Sequence, residues 1–287
     1  MNNQSKTIEK KSRRDNKSSP WIIRVKNSKS FFKYGFATII LFIFFRLFIC
    51  VKYTILSGSM LPSIPVGESV YVCKLLYGWR LYDFWSNRPD RFLRIHGIWN
   101  IAPGDVILFN VPFWGYDIGT IRFNPDMQYC KRVLGSPGDR IGAVDGHCWN
   151  DKVVKPIGVL DEQNKLRWMF DSLFIWKQTY NVIPLTDDIW NIKNWGPIIV
   201  PQKGLTIRLD NTFPELYRPV IEYETGISMP DSLSEYVFKK NYYFVIGDNA
   251  KDSYDSRYWG FLPEDFIIGI VAGKKYRNKL AKHFKRN

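Results

Sequence analysis

Cysteine, histidine, serine and lysine are the side chains of this 287-residue sequence with the reach to do covalent chemistry, and the first two soon drop out. Four cysteines, Cys50, Cys73, Cys130 and Cys148, show no CxxC pair and no zinc-ligand spacing, so no metal site is expected. The three histidines, His96, His147 and His283, are scattered, and no GxSxG accompanies them, so a Ser-His-Asp site has nothing to rest on. What remains is a set of glycine-marked segments that carry serine, lysine and acids. They are Ser57-Gly58-Ser59-Met60-Leu61-Pro62, then Gly104-Asp105-Val106, then Tyr129-Cys130-Lys131-Arg132-Val133 with Gly135-Ser136-Pro137-Gly138-Asp139. The last runs from Gly247-Asp248-Asn249 through Ser253-Tyr254-Asp255-Ser256-Arg257-Tyr258-Trp259-Gly260-Phe261. Taken singly, a serine in such a run is a turn residue and a lysine on a strand is a solvated edge or one half of a salt bridge. Their order along the chain is what makes them a set.

Positioning that set falls to an apolar stretch and a β body. Residues 34–51 read YGFATIILFIFFRLFICV, 18 residues with the single charge Arg46. As a helix they span about 27 Å, near the ~30 Å bilayer core, and Arg46 near the end snorkels to headgroups. The net charge of +14 would ordinarily point to nucleic acid, but its distribution excludes that. Residues 1–33 hold ten basic against two acidic side chains, residues 274–287 hold seven and none, and the body between is neutral within one charge. The basic tail before the apolar stretch predicts residues 1–33 in the cytoplasm and everything after Val51 outside, held by an uncleaved signal anchor. A buried core helix is a weaker reading, and so is a cleaved signal peptide ending near Ser57-Gly58-Ser59. After Val51 short β-branched and aromatic runs broken by Gly, Pro, Asp and Asn recur, and Asp145-Gly146 reads as a tight hairpin turn. The expectation is a mainly β catalytic core in two parts, 52–148 and 241–273, with a β-rich subdomain inserted at 149–240 and a basic tail at 274–287.

In order and spacing, over residues 46–273, the quoted segments resemble type I signal peptidases. SGSMxP, KRVxGxPGD and GDN…DSRYWGF after a membrane anchor form a specific pattern. The resemblance implies a signal-peptidase-like β fold and a Ser/Lys dyad, with Ser59 as nucleophile and Lys131 as general base. Physical chemistry supports that division of labour. A serine hydroxyl is a poor nucleophile until a base takes its proton. Lysine is such a base only when neutral, and burial lowers its free pKa of ~10.4 by penalising the ammonium. On a strand, Lys131 facing inward puts Arg132 on the other face. The resemblance also implies an oxyanion hole from the Ser59 N–H and the Ser57 hydroxyl, and Ser253 as the group that orients the lysine. Asp255 with Arg257 is implied as a supporting ion pair, and Asp248 and Asn249 as holders of the loop. Ala250-Lys251-Asp252 departs from the family's usual Arg-Asp-Asn-like run.

The activity so implied is that of a membrane-bound serine endopeptidase that removes signal peptides from exported preproteins after small-x-small sites. It needs no cofactor. Its expected partners are preproteins and membrane lipid, with no nucleic acid, and the enzyme is expected to be a monomer at the outer face of the plasma membrane. Tyr276, Leu280 and Phe284 fall at i, i+4 and i+8 and suit one face of a lipid-touching helix or a frayed tail equally well. Two other readings stay open: a related Ser/Lys peptidase of narrow substrate range, such as a pilin processor, and a catalytically silent homologue that binds preproteins as a scaffold.

Overall fold

The computed structural model describes residues 30, 32–42, 50–82, 92–97, 99–115, 117, 119–169, 191–209 and 214–272. The chain divides into two units, residues 1–46 and 47–287. In the first, residues 32–42 are helical. No helix among the described residues is long and apolar enough to cross a membrane. Residues 43–49 of the expected anchor, and both basic tails nearly throughout, lie outside the described residues.

The second unit is built on a fully antiparallel seven-stranded sheet. Its strands, in chain order, are β1 (Cys50–Thr54), β2 (Ser69–Cys73), β5 (Val106–Asn110), β6 (Gln128–Gly135), β12 (Tyr242–Ile246), β13 (Leu262–Pro263) and β14 (Ile267–Val271). In space they run β1-β2-β14-β5-β6-β12-β13, so the first and last of the described strands share one sheet. Between them lie a ribbon of β3 (Gly78–Tyr82) with β4 (Phe92–His96) and a three-stranded sheet. That sheet takes β7 (Arg140–Val144) between β8 (His147–Asn150) and β9 (Trp195–Ile199). A short pair, β10 (Thr206–Arg208) with β11 (Glu235–Val237), completes the strands. The β7–β8 turn is Asp145-Gly146, both at positive φ (51° and 79°), the conformation of the tight turns that match strand twist.

Two sequence expectations change. Cys50 and Val51 belong to β1, where they pair with Cys73 and Val72, rather than to the apolar segment that the sequence reading extended to residue 51. The described part of 149–240 is mixed, not β-rich, since it carries the helices Leu160–Arg167 and Pro214–Thr225 beside its short strands. The first has Asp161 and Glu162 in its first turn and Lys165 and Arg167 in its last, matching the helix dipole. The second begins on Pro214, where proline's missing N–H costs nothing.

One large aromatic-rich core joins β5, β6, β12 and β14 to the helix Pro214–Thr225, with Phe109, Tyr217, Phe244, Phe261 and Phe266 fully buried. A smaller cluster of Ile55, Met60, Ile64, Val70, Val72, Leu108, Cys130 and Val271 lies beneath the segment that follows β1. The arginines of the β3–β4 ribbon bind it to the body. Arg80 donates to Asn110 Oδ1 (2.8 Å) and the Phe266 carbonyl (3.1 Å), and Arg94 donates to the Ile267 carbonyl (2.7 Å).

Candidate active site

After β1 the chain leaves the sheet and turns at a 3-10 helix, Gly58–Met60, that carries Ser59. Met60, with no exposed surface, plugs this turn into the smaller core, while Ser59 sits at the wall of the cleft above it. The Ser57 and Ser59 hydroxyl oxygens are 3.2 Å apart.

Lys131 comes from β6, in register with Ile107 of β5. Its side chain is buried, and Nζ donates to Ser253 Oγ at 3.0 Å. The Tyr129 ring lies 5.5 Å from Nζ. Burial brings the Lys131 ammonium down to about 8, against a smaller upward pull from the Asp255 carboxylate. The neighbouring Cys130 thiol lines the same cleft, but burial pushes it up to about 12. It stays protonated at neutral pH, which leaves it a poor nucleophile.

Arg132 points elsewhere, as alternation along a strand requires. Its guanidinium grips Asp248 through two bonds of 2.6 Å and donates to the Gly104 carbonyl at 2.8 Å. Asp248 is thereby fixed where β12 ends, and the next residue reaches the serine turn. The Asn249 N–H donates to the Ser59 carbonyl and its side-chain amide to the Gly58 carbonyl, each at 3.1 Å.

Asp255 and Arg257 form a fully buried pair that holds the returning loop. Asp255 caps the short helix Ser256–Trp259 by accepting from the Arg257 N–H, and accepts from the Gly247 N–H at 2.9 Å. Arg257 returns two side-chain bonds of 2.8 Å to Asp255 and donates to the Ala250 carbonyl. Burial alone would raise the Asp255 carboxyl, but the Arg257 guanidinium outweighs it and holds the carboxyl below its ordinary value. The pair therefore stays charged, which fixes the loop that delivers Ser253 to Lys131.

Ser57, Ser59 and Lys131 line one cleft of about 420 Å³, and Lys131 is bonded to the buried Ser253. Asp248, Asn249, Asp255, Arg257 and Arg132 form the frame that joins β6 and β12 to the Ser59 turn. Tyr53, Gln128, Asp252 and Tyr254 also line the cleft. Tyr53 is fixed by a bond from its hydroxyl to the Gln128 carbonyl at 3.1 Å.

Gly247 has a role that the sequence did not disclose. A Cβ there would fall 2.5 Å from the Ser59 carbonyl oxygen and would overlap the Ser253 hydroxyl. Only glycine lets the Ser59 turn and the Ser253 side chain close on the same point of backbone.

Comparison with known proteins follows the same residues. Residues 28–274 match the family model described as "Signal peptidase, peptidase S26". Signal peptidase I of Buchnera aphidicola subsp. Schizaphis graminum (strain Sg) is 26% identical over 268 residues, covering 85% of this chain and 75% of that protein. Signal peptidase I of Aquifex aeolicus (strain VF5) is 26% identical over 251 residues, covering 85% and 83%. That of Pseudomonas aeruginosa is 27% identical over 264 residues, covering 89% and 70%.

Proposed function

We propose how this chain, which belongs to the signal peptidase family of S26 peptidases, carries out its reaction: Ser59 attacks and Lys131 moves the proton. The enzyme is a hydrolase that processes signal peptides. The observation that carries the mechanism is the buried Lys131 amine, brought to about 8 by its surroundings and held by Ser253 in the cleft that Ser59 lines.

In the reaction so read, Ser59 Oγ attacks the scissile carbonyl carbon as Lys131 Nζ takes its proton. The carbonyl oxygen, now an oxyanion, accepts from the Ser59 N–H and the Ser57 hydroxyl, preorganised donors of the kind that stabilise such charge. The tetrahedral centre collapses, the carbon–nitrogen bond breaks, and the Lys131 ammonium gives its proton to the departing amine of the mature protein. The signal peptide remains as an ester on Ser59. Lys131, neutral again, deprotonates a water that attacks the ester and returns the proton to Ser59 Oγ. Ser253 holds the amine in line through both halves.

The substrates are exported preproteins with small residues at −1 and −3, and shallow pockets exclude larger side chains there. The apolar stretch from residue 34 anchors the enzyme in the plasma membrane, with residues 1–33 inside and the β unit outside. Anchoring confines enzyme and signal peptide to two dimensions at raised effective concentration. The division into a core of 52–148 with 241–273 and an insert of 149–240 is part of the same proposal, and so are the monomeric state and the contact with lipid.

Cleavage of an A-x-A preprotein in detergent by wild type, Ser59→Ala and Lys131→Ala tests the dyad. Both variants are expected to lose activity by about a thousandfold or more, and normal turnover in either one rejects it. Reporter fusions at residues 20 and 280 test the topology, with the first inside and the second outside.

A further inference from the structure

The register of β1 against β2 sets two cysteines opposite each other, Cys50 and Cys73. The hydrogen bonds around them fix what kind of position this is. The Ile55 N–H donates to the Glu68 carbonyl and the Ile55 carbonyl accepts from the Gly67 N–H, at 2.9 and 2.7 Å, so Ile55 turns its backbone groups toward β2. Alternation along the strand then turns those of Thr54, Lys52 and Cys50 away. From the other side, the Tyr71 carbonyl accepts from the Ala272 N–H at 2.7 Å, so Tyr71 and, two residues on, Cys73 turn theirs toward β14. Cys50 and Cys73 therefore stand at a non-hydrogen-bonded position, where opposite Cα atoms are about 4.5 Å apart, inside the ~4.4–6.8 Å range of disulfides. Thr54 and Ser69, four residues along each strand, occupy a position of the same class on the same face, and their hydroxyl oxygens are 3.2 Å apart. No other two cysteines are register partners among the described strands, since Cys130 faces Leu108 and Cys148 faces Ala143. Cys73 is a half-buried thiol, whereas burial pushes Cys130 up to about 12 and Cys148 up to about 11 and so slows their exchange.

We propose that Cys50 and Cys73 form a disulfide by exchange with a protein or small-molecule disulfide, closing the loop of residues 50–73 that carries the Ser59 turn. One cysteine thiolate attacks a sulfur of the oxidant and releases half of it as a thiol. The second attacks the protein sulfur of that mixed disulfide and releases the other half. Two protein sulfurs are oxidised, two oxidant sulfurs are reduced, and the two thiol protons pass to the departing groups. Pairing in the cell rests on the proposed topology, which puts both residues on the oxidising side of the membrane.

The test uses the purified full chain in detergent, first reduced and then incubated with oxidised glutathione. Exchange is quenched with acid, the remaining thiols are alkylated as the protein unfolds, and trypsin leaves Cys50 in residues 47–52 and Cys73 in residues 53–74. Mass spectrometry is expected to find these two peptides joined in most molecules, with Cys130 and Cys148 alkylated. The melting temperature should exceed that of the reduced protein by roughly 5–10 °C, and Cys50→Ser should abolish both the link and the rise. Alkylation of both Cys50 and Cys73 in wild type, or a link from either one to Cys130 or Cys148, overturns the proposal. Failure of the topology is separate, since it appears as a reporter at residue 280 that lies inside while the purified protein still pairs.

Discussion

The rate of cleavage should follow the titration of Lys131, and the structure sets the size of the effect. An ordinary lysine at 10.5 is neutral in only about 0.03% of molecules at pH 7, whereas one lowered to about 8 is neutral in roughly a tenth. Burial therefore raises the competent fraction at that pH by about 300-fold. With Lys131 at about 8, the neutral fraction climbs from about 1% at pH 6 to about 50% at pH 8, then levels off. Accordingly kcat/KM should rise about fiftyfold between pH 6 and pH 8 and less than about threefold beyond. The assay is cleavage of an A-x-A preprotein with no titrating group near the bond, under subsaturating conditions in detergent. Because kcat/KM reports the free enzyme, the inflection belongs to the unliganded site. A profile flat from pH 6 to pH 9, or one still climbing tenfold per unit at pH 10, would refute a buried lysine base.

The same shift makes Lys131 a liability for stability. Its folded pKa lies below its unfolded one, so stability rises with pH between about 8 and 10.5 and the full cost, about 3 kcal/mol, stands below about 8. Lys131→Met should therefore be inactive yet melt several degrees higher than wild type at pH 7 by circular dichroism, with the gap closing toward pH 10; a lower melting temperature at pH 7 argues against the cost. Gly247→Ala should lower kcat by about a hundredfold, because its Cβ drives apart Ser253 and the Ser59 carbonyl. Single-turnover cleavage measures it, and a kcat within threefold of wild type would show that the contact yields cheaply. Asp248→Asn removes the charge that Arg132 grips with two bonds of 2.6 Å, at a cost of about 3 kcal/mol. Thermal melts should show a fall of roughly 6–12 °C for a body of this size, and a fall under 2 °C would mean the pair contributes little.

Lys131 and Arg132 mark how far the sequence reaches into the site. Period-two alternation alone separates them onto two faces, and the structure gives Lys131 to Ser253 and Arg132 to Asp248. Asp145-Gly146 was legible for a similar reason, since the turn's chemistry is contained in the two residues that make it. The two helices in 149–240 were hidden because that stretch reads as Trp- and Pro-rich, and one of them contains Pro219 within its span. The sheet order was out of reach. Strand β14 enters between β2 and β5, a pairing between segments more than 150 residues apart that no local pattern encodes. Gly247 shows the limit most clearly. As a residue it reads as one more loop glycine before Asp248 and Asn249. Its necessity arises only because Ser59, 188 positions earlier, and Ser253, six later, close on the space that a Cβ would fill. A site assembled by such convergence writes the serine and lysine proposed as its reacting pair into local motifs, since those must be a particular chemical type, but leaves the clearance around them to residues with no side chain to read.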